Sequence, residues 1–173
     1  MISVLIWYLL ITVIGFCCLP LAFRLFGALP DRGYTLARPL GLLLGSYLFW
    51  LLGSFGVLQN DSGGVLMAFL ILVLINLALL RGKLTELRAF FNQQRRLVLF
   101  AEILFALAFA AWAFVRSANP EITYTEKPME LAFLNSILRS PGIPPNDPWL
   151  SGYAISYYYF GYIMVSALIR LSG

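Results

Sequence analysis

Gly64-Val65-Leu66-Met67-Ala68-Phe69-Leu70-Ile71-Leu72-Val73-Leu74-Ile75-Asn76-Leu77-Ala78-Leu79-Leu80 carries no charge, and Asn76 is its one strongly polar side chain. Its length is close to the roughly 20 residues that cross about 30 Å of hydrocarbon, so it reads as a transmembrane helix, the form that satisfies its own backbone without water. Comparable stretches lie on either side, at residues 2–26, 36–58, 97–115 and 153–173. The composition agrees: 61% of residues are hydrophobic, 12% are charged, and the mean hydropathy is +0.84. A soluble domain runs at about 45–50% apolar and about 25% charged. The expected fold is an all-α integral membrane protein of about five transmembrane helices. One extracytoplasmic loop would carry an interfacial amphipathic helix.

Several residues refine this picture. The first stretch is too long for a signal peptide and lacks a basic n-region, so it reads as a retained helix. Pro20 should kink that helix near its inner end or terminate it. Cys17 and Cys18 sit inside it and read as packing residues. Gly41 and Gly45 have the spacing that lets helices approach closely, and Asn76 suits an interhelical hydrogen bond. Glu102 lies about one turn inside the fourth helix. Its expected partners are Arg95 or Arg96, or else it snorkels toward the interface. The chain has no histidine, which removes His-based acid–base chemistry and disfavours the usual zinc sites.

The net charge of +4 is not a nucleic-acid signal, because the basic residues flank apolar spans. Residues 24–38 carry Arg24, Arg32 and Arg38 against Asp31. Residues 81–96 carry Arg81, Lys83, Arg88, Arg95 and Arg96 against Glu86 alone. The turn Gln59-Asn60-Asp61-Ser62-Gly63 has no basic residue. By the positive-inside rule, the N-terminus lies outside a cell membrane crossed several times, and loops 27–35 and 81–96 are cytoplasmic. Loop 116–152 is then extracytoplasmic, and the fifth helix runs inward to end beside Arg170.

Loop 116–152 is the longest polar segment and holds six of the nine prolines. Met129, Phe133 and Ile137 recur at helical spacing, so a helix is expected at 128–139, with Thr125 and Pro128 at its start and Ser140-Pro141-Gly142 at its end. Pro144-Pro145-Asn146-Asp147-Pro148 reads as a rigid turn. Glu126 is the first candidate for chemistry. Its carboxylate could be a general base toward an acceptor hydroxyl, or a ligand for Mg²⁺ or Mn²⁺ on a phosphate. Lys127 and the helix N-terminus add positive field. A Glu in the first helical turn is also favourable by dipole effects alone, and that reading stands beside the functional one. Asp147 is a second acidic candidate, as catalytic group or metal ligand, or else a turn former. Tyr153, Tyr157, Tyr158, Tyr159 and Tyr162 crowd the outer end of the fifth helix with Trp149 and Phe160. An aromatic belt accounts for some of them. Three consecutive tyrosines point in three directions, so at least one should face the bundle or the loop, where it could bind a sugar or a phosphate.

Arg116, the run Glu126-Lys127-Pro128-Met129-Glu130-Leu131-Ala132-Phe133-Leu134-Asn135, the run Pro144-Pro145-Asn146-Asp147-Pro148-Trp149-Leu150-Ser151-Gly152 and Tyr157-Tyr158-Tyr159-Phe160-Gly161 form an ordered series. In this the chain resembles the YYY membrane protein family of archaea and Chloroflexi-like bacteria, named for the tyrosine triplet. Glu102 and the region from Gly33 to Trp50 also fit that pattern. Members look like distant relatives of the polytopic GT-C glycosyltransferases, which place an acidic residue and an interfacial helix in the first large outer loop. The resemblance implies Glu126 as base or metal ligand, Asp147 as a second acidic group, and Lys127 and Arg116 as phosphate contacts. It also implies Tyr157, Tyr158 and Tyr159 along the cleft for a polyprenyl-phosphate sugar, with Mg or Mn as the metal. Glu130 stands where the family often has Asp, which makes it the weaker candidate.

Proteins of that family are several times longer, so this chain would be an N-terminal portion or a shortened relative, and not catalytically complete by itself. Two functional readings follow. One is the N-terminal part of a membrane glycosyltransferase using a lipid-phosphate donor. The other is a non-catalytic small subunit that docks on and stabilises a larger membrane complex.

Overall fold

A computed structural model describes residues 2–124 and 126–173. Thr125, expected at the start of a helix, lies outside the described residues. The elements are all helical: α1 (Ile2–Leu25), α2 (Ala37–Ser54), α3 (Ser62–Leu80), α4 (Leu84–Gln93), α5 (Arg95–Ala118), α6 (Glu126–Arg139) and α7 (Phe160–Ser172). Among the described residues, α1, α3 and α5 are long and apolar enough to cross a membrane. The second expected stretch is met by α2, which has 18 residues and carries Arg38 in its first turn. In the fifth, helix begins at Phe160 and covers 13 residues. At 1.5 Å per residue that is about 20 Å, short of the hydrocarbon thickness.

The chain forms two compact units, one from residues 1–41 and 73–120, the other from 42–72 and 121–173. In the first, α1 continues through Pro20 to Leu25. A proline crowds the carbonyl four residues back and loosens the local ladder. The neighbouring N–H of Leu21 finds Asn76 Oδ1 of α3 at 3.0 Å, and Asn76 is 1% exposed. That is the interhelical hydrogen bond expected of Asn76, and it satisfies a backbone donor where lipid offers none. Gly41 of α2 lies so close to α1 that a Cβ there would meet Ile14 Cγ2 at 2.8 Å.

Turn 26–36 is ordered by Asp31. Its carboxylate accepts the Gly33 and Thr35 N–H groups, each at 3.0 Å, and the Thr35 hydroxyl at 2.6 Å. Gly33 has φ +78°, a left-handed conformation that glycine adopts without strain. The turn sends Tyr34 inward to a core of Leu19, Ala22, Ala37 and Phe90. Phe90 comes from α4, inside the segment expected to be a plain cytoplasmic loop. Leu84, Leu87 and Phe91 recur along one side of this short helix, and Phe90 packs edge-on against Phe23 with centroids 4.7 Å apart. Local amphipathic periodicity, overlooked beside the basic residues, explains the helix.

In the second unit, Gly45 of α2 lies against the ring of Phe69 of α3, an approach that any side chain would obstruct. Helix α6 covers the 128–139 stretch and starts two residues earlier, at Glu126. It packs on α7 and buries Phe133 and Ile137, while α7 buries Ile163, Ser166, Ala167 and Leu168. The carbonyls at the end of α6 and of Ser140 just beyond it are capped from a distance. Asn60 Nδ2 donates to Ile137 O at 2.7 Å and to Ser140 O at 2.8 Å, and Arg170 Nη2 donates to Leu138 O at 3.1 Å. Arg170 also reaches Asn60 Oδ1 at 3.4 Å.

Both ends of α7 are therefore tied to one end of the α2–α3 hairpin. Arg170 bonds Asn60 in its turn, and the Trp50 indole, one turn before α2 ends, donates to Tyr159 Oη at 3.1 Å. The expected fifth span corresponds to this short apolar helix, which is anchored to the hairpin end at Tyr159 and at Arg170.

Candidate functional site

The N-terminal turn of α6 begins with Glu126, and Glu130 follows one turn later on the same side of the helix. The non-helical segment before α7 meets α6 at Phe133, through Tyr157, and is held in place by the loop that precedes it. That loop is a chain of backbone pairings: Asp147 N–H to Tyr153 O at 2.8 Å, and Ile155 N–H to Pro145 O at 2.9 Å. The Ile143–Pro144 peptide bond is cis. Ser136 of α6 donates its hydroxyl to Asn146 O, and the Asn146 N–H returns to the Ser140 hydroxyl at 2.8 Å.

Asp147 works inside this loop. Its Oδ1 accepts the N–H groups of Trp149 and Leu150, both at 2.8 Å, the bonding pattern of a turn-forming aspartate. This is the turn-forming arrangement expected of Asp147, made through one of its two carboxylate oxygens. Among the described residues, no group of three His, Cys, Asp or Glu side chains could hold a metal ion. Mg²⁺ demands near-octahedral oxygen ligation, usually one or two carboxylates with phosphate and water.

The tyrosine triplet divides. Tyr159 takes the Trp50 hydrogen bond and so faces the bundle. Tyr157 and Tyr158 do not diverge as they would on a helix, because this segment is not helical. Their rings stack with centroids 4.0 Å apart, and Tyr157 Oη donates to Tyr158 Oη at 2.8 Å. Tyr157 also stacks on the buried ring of Phe133 at 5.4 Å, and Phe133 meets Trp149 edge-on at 5.3 Å. The result is an aromatic shelf whose outer members, Tyr158 and Trp149, are 79% and 63% exposed. The Tyr157 hydroxyl is pushed up to about 12, first by its hydrogen bond to Tyr158 and then by slight burial and by nearby groups that include Glu126. Tyr162 likewise lies within electrostatic reach of Glu130 and Glu126. Glu126 thus lies within electrostatic reach of the shelf at Tyr157, and Glu130 within reach of Tyr162.

Lys127 donates to the Glu121 carbonyl at 3.1 Å. Arg116 belongs to the other unit, in the last turn of α5, where Nη1 donates to Asn119 O at 3.0 Å.

A second polar constellation lies in the first unit, and sequence reasoning misplaced it. Glu102 Oε2 accepts from Arg38 Nη2 at 2.5 Å, and Glu102 Oε1 accepts from Tyr34 Oη at 2.6 Å. The Arg38 guanidinium also lies over the Phe105 ring, 4.2 Å from its centroid. Neither Arg95 nor Arg96 is the partner. Helical neighbours meet at three or four residues, whereas these lie seven and six positions from Glu102. The available signal was Arg38 itself, a charge at the edge of an apolar stretch, because charges at membrane depth pair with one another.

No curated protein and no solved structure matches the chain. A family model described as "uncharacterized membrane protein (DUF2298)" matches residues 44–173, well over half of the sequence and all of the shelf, and the chain belongs to that family.

Proposed function

We propose that this chain is the N-terminal portion of a polytopic membrane glycosyltransferase-like protein that takes a sugar from a lipid-phosphate donor on the extracytoplasmic side. The observation that carries this reading is the aromatic shelf of Tyr157, Tyr158 and Trp149 built on Phe133 of α6, with Glu126 at the start of that helix within electrostatic reach of Tyr157. Sugar rings present C–H faces that pack on aromatic surfaces and hydroxyls that donate to carboxylates. In this reading Tyr158 and Trp149 seat a sugar ring. Glu126 accepts the proton of the attacking hydroxyl as the glycosidic bond to the donor phosphate breaks. Lys127, at the same helix start, offsets the charge that develops on the departing phosphate. Asp147 shapes the loop that presents Trp149. The N-terminus lies outside and the basic segments inside, following the positive-inside rule.

The test is transfer from a polyprenyl-phosphate sugar in membranes holding the full-length protein. Glu126→Gln should abolish transfer while the protein's thermal transition stays within a few degrees of wild type. Undiminished transfer would remove Glu126 from the mechanism.

A docking subunit is the second reading, favoured by α5, none of whose described residues is buried. Phe100, Leu104, Leu107, Trp112 and Phe114 are all more than half exposed there. Co-purification with a large membrane assembly in fixed ratio supports this reading, and recovery only as a free monomer opposes it.

A further inference from the structure

A cavity of about 60 Å³ opens where α1 and α3 end and α4 begins. One part of its wall is apolar, made of Pro20, Phe23 and Leu87 with Leu79 and Leu80. The other part is charged, with Arg24, Arg32 and Lys83 set beside the single carboxylate of Glu86. The three cations come from three different segments: the last turn of α1, the Asp31 turn and the α3–α4 connection. Arg32 is held there in a left-handed conformation at φ +49°, which a non-glycine residue adopts only when its surroundings fix it. No ion pair joins any of the three to a carboxylate among the described residues, where Arg38–Glu102 is the pair present. Three cations against the one carboxylate of Glu86 leave the hollow with a net positive lining that attracts an anion.

We infer that this cavity binds the phosphate of an anionic membrane lipid, with the acyl chains running along the apolar side. The space suits a group of phosphate size and not a whole lipid. The apolar wall then meets the lipid body outside it. This combination of a basic pocket between helices with an apolar flank is the chemistry that holds anionic headgroups at a membrane face. The inference stands apart from the glycosyltransferase reading and involves none of its residues.

The test is native mass spectrometry of the detergent-purified full chain mixed with phosphatidylglycerol, with phosphatidylcholine, or with inorganic phosphate. Retained phosphatidylglycerol adducts, with few from phosphatidylcholine, are expected. Neutralising Arg24→Gln and Lys83→Gln together should weaken phosphatidylglycerol binding by more than tenfold, at about fivefold per cation. Glu86→Gln should strengthen it. The control pair Arg88→Gln and Arg95→Gln removes as much charge outside the cavity lining and should leave binding within about twofold. Equal loss in the control pair would overturn the inference in favour of unlocalised surface attraction. Equal retention of both lipids would overturn it outright. Inorganic phosphate that competes as well as the lipid would reduce the site to a free-anion site and overturn the lipid assignment. If the double variant fails to fold, Arg32→Gln alone with Glu86→Gln supplies the opposed pair of signs.

Discussion

Replacing Glu102 with Gln keeps the shape and hydrogen-bond acceptor of the side chain and removes its charge. Arg38 would then be left with a guanidinium whose side chain is 9% exposed and whose Nε already lacks a hydrogen-bond partner. Charge centres about 4 Å apart interact by about 4 kcal/mol at an effective dielectric of 20. Stripping one partner from a buried pair costs about 3–5 kcal/mol. The Glu102 side chain is 26% exposed, so water screens part of that attraction. The expected loss is about 2–3 kcal/mol. For a chain of this size it corresponds to a fall on the order of 5–10 °C in the thermal transition. Detergent-solubilised protein followed by tryptophan fluorescence would register it, with exposed Glu86→Gln as the control. Arg38→Met with Glu102→Leu, made in a Tyr34→Phe background so that no phenolic donor is orphaned, should recover most of the loss, because both charges leave together. A Glu102→Gln transition indistinguishable from that of Glu86→Gln would refute the reasoning and reduce the contact to an idle surface pair.

Asn60→Ala removes the donor that caps Ile137 O and Ser140 O and the acceptor that Arg170 uses, so α6 should loosen at its end by about 1–3 kcal/mol. Hydrogen exchange should quicken over residues 136–142 and not over α4, and uniform exchange would contradict the capping role. Asp31 is held below the ordinary carboxylate range: burial pushes it up, but the hydrogen bonds from Thr35 and Gly33 outweigh that. Its contribution is present above the unfolded carboxylate pKa and lost as pH falls through the lowered folded value. The stability gap between wild type and Asp31→Ala should therefore hold flat from pH 7 to about 5 and close below about 4; a gap that widens in acid would be the wrong sign. If α7 lies beside the hairpin end, Ser172→Cys and Asp61→Cys, in a background with Cys17 and Cys18 replaced by alanine, should react with an impermeant thiol reagent from the same side of the membrane; labelling from opposite sides would establish α7 as a span.

The membrane helices were legible because their signal is one-dimensional. A run such as residues 64–80 has no soluble alternative, and periodicity hardly matters when every face is apolar. The α6 helix was legible for the opposite reason: Phe133 and Ile137 recur at helical spacing in a polar loop, and both are buried. What escaped was pairing. Nothing near Glu102 in sequence marks Arg38, 64 positions away, or Tyr34 beside it. In the candidate site, the same limit hid the shelf. The tyrosine triplet was visible as letters, but a helical reading sends successive residues in different directions. Stacking of Tyr157 on Tyr158 requires the non-helical segment that the loop bonds of Asp147 and Pro145 impose.

Arg170 shows how an orientation rule and a contact can diverge. Counted as a charge, it fits the inner end of a fifth span. Counted as a donor, it completes a cap on α6 together with Asn60, in the turn that has no basic residue. A guanidinium presents five donors in a rigid fork, and backbone carbonyls at a helix C-terminus are the acceptors that fork can satisfy within a low-dielectric setting. Its role there is local: it caps α6 whichever face of the bilayer it lies on. The basic clusters at residues 24–38 and 81–96 differ in kind, because apart from Arg38 their charges have no ion-pair partner among the described residues and are free to respond to the membrane field. Orientation is better argued from those charges than from Arg170.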